Sequence, residues 1–229
     1  MNYNNINISY DLLIWLGLII TFLSQILIKI TYNKYQKKEN KNKITGFDVA
    51  REILDKNGLQ DILILETTGY LSDHYDPTKK VIKLSTDIYR GYTISSVAVA
   101  AHECGHAMQD KENYTPMRLR SKIIPTVNIF SKIGYLSIII GALFSYKLML
   151  IGVFLLLSIL LFQIITLPVE FNASKRALNQ IKKLNLLSEE EQSGAKKVLS
   201  AAAFTYVASV LATLMQLLRY FLIANTRRR

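Results

Sequence analysis

Long apolar stretches without charged side chains are the feature that most limits how this chain can fold. Leu12 to Ile28 contains no charged residue, and neither does Leu148 to Leu167. Ile123 to Ser145 is interrupted only by Lys132, which lies near one end and can reach the membrane surface with its long side chain. Helices of this length just cross a hydrocarbon core of about 30 Å. The sequence therefore predicts a mostly α-helical integral membrane protein and excludes a soluble globule.

The second and third apolar stretches are joined only by Ser145-Tyr146-Lys147, which predicts a transmembrane helical hairpin. A fourth stretch, Ala201 to Ile223, is less decisive because it includes Gln216 and Arg219. A charged residue in the middle of a bilayer costs roughly 2.5–3.5 kcal/mol on insertion scales. Three or four transmembrane helices are therefore expected. The last stretch is either a fourth crossing or a buried amphipathic helix.

The basic residues indicate the orientation in the membrane. Six lysines follow the first apolar stretch and four basic residues follow the third, whereas the N-terminus has none before Leu12 and the hairpin turn has only Lys147. The positive-inside rule places the N-terminus outside and both basic segments in the cytoplasm. The net charge of +11 is then explained by segments that touch anionic lipid. No nucleic-acid-binding motif is present, so the expected partner is the lipid bilayer and not nucleic acid.

The polar part of the chain predicts a small α+β region. Thr45 to Asp48 resembles a capping box that opens a helix, and Gly58 fits its end. Ile62 to Leu65 and Val81 to Leu84 are short β-prone segments, expected to pair as an antiparallel sheet. A buried helix is expected from Thr93 or Ser95 to about Gln109, and another helix from Ser188.

The segment His102-Glu103-Cys104-Gly105-His106 is an HExxH motif. Two histidines four residues apart lie on one face of a helix and can bind one zinc ion. Glu103 lies one position round the helix, where it can act as general base toward a water molecule. The chain has only three histidines, and two of them are in this motif. The single Cys excludes an internal disulfide framework, and Cys104 itself is expected to be a small buried residue.

A catalytic zinc site needs a third protein ligand and one open position. The candidates are His74 and Glu170, and Glu170 is preferred because it follows the hairpin in an apolar setting. Two crossings return the chain to its starting side, so Glu170 can meet His102 and His106 at the cytoplasmic membrane surface. His74 and Tyr75 are instead candidates for a contact with the substrate or the transition state.

Four segments together resemble the YugP-type bacterial membrane zinc metallopeptidases, a neutral zinc metallopeptidase family. They are Ser72 to Pro77, Ala98 to Ala107, Leu167 to Ser174 and Ala202 to Ala208. More distantly, the chain is similar to the membrane gluzincins that include the CAAX prenyl protease and the heat-shock protease HtpX. The resemblance implies that His102, His106 and Glu170 bind zinc and that Glu103 is the catalytic base. Asn172 and Ser174 stand where the nearer and the more distant relatives carry an Asp that would orient a histidine.

These observations predict six segments. They are an N-terminal transmembrane anchor (1–32), a basic linker (33–44), a zincin-like region with HExxH (45–122), a transmembrane hairpin (123–167), a helical region with the third zinc ligand (168–200) and a C-terminal apolar helix with a basic tail (201–229). The predicted function is a multi-pass cell-membrane zinc metallopeptidase acting on protein or peptide substrates, with its site facing the cytoplasm. The substrate is expected to add as a strand beside Val81 to Leu84. The alternative is an inactive zinc-bound membrane scaffold or adaptor.

Overall fold

The computed structural model describes residues 3–226, with side chains from residue 10 onward. The expected basic tail, Arg227 to Arg229, lies outside the described residues. The described chain is mostly helical, with one small sheet. Its elements are α1 (Tyr3–Gln36), α2 (Gly46–Lys56), β1 (Leu63–Thr67), β2 (His74–Asp76), β3 (Val81–Ser85), α3 (Thr86–Tyr89), α4 (Ile94–Lys111), α5 (Thr115–Phe144), α6 (Tyr146–Lys183) and α7 (Glu189–Thr226).

Four helices are long and apolar enough to cross a membrane by length and composition. They are α5, α6, α7 and the Tyr10–Gln36 part of α1. Large apolar side chains on these helices are strongly exposed, among them Trp15 at 61%, Phe144 at 80% and Phe154 at 70%. Such surfaces are stable only when lipid or another apolar partner covers them. The prediction of three or four transmembrane helices therefore meets four candidate spans in the structure.

The described chain divides into two compact units. Residues 3–25, 119–167 and 204–226 form the first, here called the apolar unit, and residues 26–118 and 168–203 form the second, here called the HExxH unit. In the apolar unit, α5 and α6 are joined by Ser145 alone and form a helical hairpin. That this hairpin crosses a membrane stays a prediction. Glycines bring the two helices together, since a Cβ atom at Gly152 would lie 2.7 Å from the carbonyl oxygen of Gly134.

The first and last helices run antiparallel within the apolar unit. Gly17 faces Ala212, since a Cβ atom on Gly17 would lie 3.4 Å from the Ala212 Cα. Further along, Arg219 donates a hydrogen bond to the Asp11 carboxylate at 3.0 Å, and the hydroxyls of Tyr10 and Thr226 are 3.0 Å apart. The ion pair offsets the charge of Arg219, which in the sequence argued against a membrane crossing by Ala201 to Ile223.

Side-chain caps begin two helices of the HExxH unit. The capping box at the start of α2 is confirmed, because the Thr45 hydroxyl accepts from the Asp48 N–H and the Asp48 carboxylate accepts from the Thr45 N–H. The Thr93 hydroxyl caps α4 by accepting from the Ser96 N–H.

One apolar core holds the HExxH unit together. Buried side chains from α2, the sheet, α4 and α6 meet in this core, among them Ile53, Leu54, Ile82, Ala98, Ala101, Cys104 and Ile181.

The predicted antiparallel pairing of the two longer strands is wrong. β1 and β3 pair in parallel, from Leu63 opposite Val81 to Thr67 opposite Ser85. The reason is a third strand between the two segments predicted as strands, because β2 reverses the chain once more before β3 begins. β2 pairs antiparallel with β3, so the sheet is mixed.

The strand order β1-β3-β2 also corrects the expected path of the substrate. β3 is the central strand, with neighbours on both sides, so its backbone offers no free edge for strand addition beside Val81 to Leu84. The free edges of this sheet belong to β1 and β2. β2 lies against α4, where the Tyr75 hydroxyl donates to the Asp110 carboxylate at 2.9 Å.

Candidate metal centre

The helix α4 carries both histidines of the HExxH motif on one face. Because His102 and His106 are one turn apart, their rings lie with centroids 4.8 Å apart and planes at 84°. The helix is buried through Ala98, Ala101 and Cys104, all 1% exposed or less. The prediction that Cys104 is a small buried residue is confirmed.

Glu170 of α6 lies opposite the two histidines and is only 3% exposed. Its Oε2 atom is 3.3 Å from Nε2 of His102 and 3.6 Å from Nε2 of His106. One donor atom from each of the three residues lies within 4.8 Å of the others. Among the described residues these three form the one candidate metal site of this kind, and they are the three predicted as ligands.

The other ring nitrogen of each histidine is held by a neutral side chain. Nδ1 of His102 is 3.2 Å from the Ser174 hydroxyl, and Nδ1 of His106 is 3.0 Å from Oε1 of Gln109. Both Nε2 atoms therefore turn toward Glu170. Two imidazole nitrogens and one carboxylate are the donor set of a common class of catalytic zinc sites, which leaves one position for water or substrate. The residues present thus fit a zinc ion.

Glu103 follows His102 on α4 and is 7% exposed. Burial raises the pKa of its carboxyl group, although the neighbouring imidazoles of His102 and His106 act in the opposite direction. A carboxylate with a raised pKa is a better proton acceptor than an exposed one. Its environment therefore suits the base predicted from the sequence.

Gly105 explains how α4 and α6 come close enough to assemble the site. A Cβ atom at this position would lie 2.5 Å from the carbonyl oxygen of Ala173 and 3.1 Å from its Cα. No side chain larger than hydrogen fits there without a shift of the backbone. Ala173 lies between Glu170 and Ser174 in α6. The close approach of the two helices therefore brings the Glu170 and Ser174 side chains toward the histidines.

His74 lies exposed at the start of β2, outside the group of three candidate ligands. Its Nδ1 is 2.8 Å from the carbonyl oxygen of Ser72, so Nδ1 carries a hydrogen and donates it. In the neutral ring Nε2 can then only accept a hydrogen bond, and a contact that stabilises an oxyanion would require the imidazolium form.

Tyr75 is buried, and its hydroxyl hydrogen goes to Asp110. Burial and the Asp110 carboxylate raise the pKa of this hydroxyl. To donate a hydrogen bond to a substrate, the Tyr75 hydroxyl would therefore have to give up Asp110. The substrate contacts of His74 and Tyr75 stay predictions.

Gln109 is the residue that the sequence reasoning missed. It is completely buried, and its side chain touches a candidate ligand. A signal was available, because Gln109 lies three residues after His106 and residues at that spacing share a helix face. An amide on the ligand face of a zinc-binding helix is a natural partner for the second ring nitrogen.

The four candidate membrane spans and the candidate metal site are the features expected of a membrane zinc metallopeptidase. The chain matches the profile of a family described as "Putative neutral zinc metallopeptidase" over residues 10–225. It belongs to this family, as the four sequence segments predicted, and zinc is the metal of the family.

Among individual proteins, the chain is similar to the "Putative membrane protease YugP" of Bacillus subtilis (strain 168). The two are 45% identical over 205 residues, which is 89% of this chain and 91% of the relative. No solved structure matches the chain.

Proposed function

We propose that this protein is a membrane endopeptidase of the gluzincin type, in which His102, His106 and Glu170 hold zinc and Glu103 is the general base. The observation that carries the proposal is the convergence of three ligand atoms within 4.8 Å of one another, with the buried Glu103 next to His102 in the chain. Family membership and the relative described as a membrane protease support the same reaction. A zincin-like arrangement of the sheet and α4 belongs to this proposal.

The chemistry follows from the positions of the side chains. His102, His106 and Glu170 would hold zinc, which would act as a Lewis acid that polarises the scissile carbonyl and lowers the pKa of water. Glu103 accepts a proton from the attacking water and passes it to the leaving amine as the C–N bond breaks. Gln109 accepts a hydrogen bond from Nδ1 of His106, which leaves Nε2 of that ring as the ligand atom. The Ser174 hydroxyl can donate or accept, so it can accept from Nδ1 of His102 when Nε2 of His102 is the ligand atom.

The proposal is tested by zinc content and peptide hydrolysis of the protein purified in mild detergent. We expect about one zinc per chain in the wild type and hydrolysis that a chelator abolishes and added zinc restores. Glu170→Gln should lose zinc and activity together, because an amide is a much weaker ligand than a carboxylate. In the same assay, a raised KM of His74→Ala at unchanged zinc content would support the substrate contact.

Two results of this experiment would contradict the assignment. A wild type without bound metal would remove its basis, and full zinc retention by Glu170→Gln would place the third ligand elsewhere. Zinc bound without hydrolysis of casein or unstructured peptides would favour the alternative, an inactive zinc-bound scaffold or adaptor.

Ion flux is not expected, because the hairpin stretches 123–145 and 148–167 contain no carboxylate or histidine that would mark a pathway.

We place the site at the cytoplasmic face of a four-helix membrane protein. The supporting observations are the lysines after the first apolar stretch and the antiparallel pairing of α1 with α7. With the N-terminus outside, α1 and α7 then cross in opposite directions. The linker after α1 faces the cytoplasm, and the hairpin turn at Ser145 faces outside.

A single cysteine introduced on each side tests this orientation. Ser145→Cys should react with a membrane-impermeant maleimide on intact cells, whereas Lys37→Cys should react only after permeabilisation. Both positions are exposed, and the native Cys104 is completely buried, so the wild type serves as the unlabelled control. The reverse labelling pattern would place the site outside the cell.

A further inference from the structure

Gln109 uses both ends of a buried amide to connect the two helices that carry the candidate ligands. Its Oε1 faces His106 on α4, and its Nε2 donates to the backbone carbonyl of Val169 on α6 at 2.7 Å. Val169 immediately precedes Glu170. We propose that Gln109 is the positioning residue that fixes the tautomer and orientation of His106 relative to Glu170. The inference rests on the proposed function, because it takes His106 and Glu170 as zinc ligands.

The orientation of the Gln109 amide follows from its partners. The carbonyl of Val169 can only accept a hydrogen bond, so the amide end that faces it must be the NH₂ group. The opposite end, the carbonyl oxygen, then faces Nδ1 of His106 at 3.0 Å. An oxygen acceptor requires a hydrogen on Nδ1, which leaves a lone pair on Nε2. This is the tautomer in which His106 can bind a metal through Nε2.

Asn172 and Arg176 extend this chain of hydrogen bonds to the surface. The second hydrogen of the Gln109 amide goes to Oδ1 of Asn172 at 3.0 Å, and Arg176 donates from Nε to the same oxygen at 2.7 Å. The Arg176 guanidinium also donates to both oxygens of Glu112, at 2.7 and 2.6 Å. Since a guanidinium only donates, it fixes the Asn172 amide with its oxygen toward Gln109. A partly exposed ion pair therefore fixes the orientation of the Asn172 amide, which in turn supports the Gln109 orientation that the Val169 carbonyl requires.

A neutral partner suits this site for an electrostatic reason. Glu103 and Glu170 already place two carboxyl groups beside the histidines, and both are buried. A third buried carboxylate at Gln109 would add like charge where desolvation makes it costly. It would also face the Val169 carbonyl and the Asn172 oxygen with no hydrogen to donate. An amide accepts from His106 and donates to α6 without adding charge.

The test compares two buried glutamines of the HExxH unit. Gln109→Met keeps the volume and removes the hydrogen bonds, and Gln180→Met does the same at a residue whose amide donates to Asn57 and touches none of the candidate ligands. Zinc affinity is measured by chelator competition, and the absorption spectrum of the cobalt-substituted protein reports the ligand geometry. We expect Gln109→Met to bind zinc about 10- to 100-fold more weakly than the wild type, with an altered cobalt spectrum. Gln180→Met should retain the zinc affinity and the spectrum of the wild type, even where its melting temperature falls.

A double-mutant cycle separates positioning from general destabilisation. Arg176→Met should weaken zinc binding less than Gln109→Met does, and its effect should disappear in the Gln109→Met background. Asn172→Asp keeps an oxygen that accepts from both Gln109 and Arg176, so it should retain zinc affinity.

The outcomes distinguish this inference from the proposed function. If the wild type binds zinc and Gln109→Met binds it equally well with the same spectrum, the positioning role is wrong and the metallopeptidase assignment stands. If the effects of Gln109→Met and Arg176→Met add, the two residues act separately, and the inferred coupling through Asn172 is wrong. If the wild type binds no zinc, the proposed function itself fails. If Gln109→Met does not fold, Asn172→Leu replaces it in the cycle.

Discussion

Replacing Glu103 by glutamine is expected to lower kcat/KM for peptide hydrolysis by about 10²- to 10⁴-fold, the usual contribution of a general base. The two side chains have nearly the same shape, so the buried packing around this residue is kept. The amide cannot take a proton from water, whereas the carboxylate can. Because His102, His106 and Glu170 are unchanged, zinc content measured by elemental analysis should remain about one per chain.

A matched control for this substitution is Glu52→Gln on the exposed side of α2. It makes the same chemical change at a residue that lies outside the site, so its activity should equal that of the wild type. If Glu103→Gln kept half of the wild-type activity, the base would have to be another group. If it lost zinc, Glu103 would hold the site together and would not serve only as a proton acceptor.

Gly105→Ala is expected to remove zinc binding and activity and to destabilise the protein by about 1–3 kcal/mol, the usual range for overpacking. The added Cβ atom would lie 2.5 Å from a backbone carbonyl of α6, and backbone cannot move aside as a flexible side chain can. Either α4 or α6 must shift. Since His102 and His106 lie 3.3 and 3.6 Å from the Glu170 oxygen, a shift of a few tenths of an ångström disturbs the ligand set.

Zinc content and melting temperature measure this effect, and Gly17→Ala is its control. Gly17 also lies in a helix, but its nearest neighbour would be at an ordinary 3.4 Å from the new Cβ atom. There the gain in helix propensity, up to about 1 kcal/mol, should leave stability unchanged or slightly raised. Normal zinc binding by Gly105→Ala would show that α4 and α6 do not need their close approach.

The parts of this fold with a local cause could be predicted from sequence. A capping box, apolar stretches of membrane length and an HExxH segment each depend on residues close together in the chain. The position of Glu170 near the histidines could be predicted from topology, since two membrane crossings return the chain to the same side. The pairing of β1 with β3 was missed because it depends on three residues of β2, a strand too short and too polar to be read as one. Gln109 was missed because its role depends on contacts with Val169 and Asn172, some 60 residues away.

The ion pair between Asp11 and Arg219 also has a consequence for biosynthesis. The two residues are 208 positions apart, so all of the residues between them must be made before Asp11 meets this partner. Until then the first helix carries an unmatched carboxylate at one end, and the last helix brings a guanidinium that is poorly suited to an apolar setting. Each helix is therefore more stable in the membrane when it is paired with the other than when it is alone. Synthesis of the last helix completes the pairing of α1 with α7, and a nascent chain that stops before Arg219 lacks the ion pair that joins them.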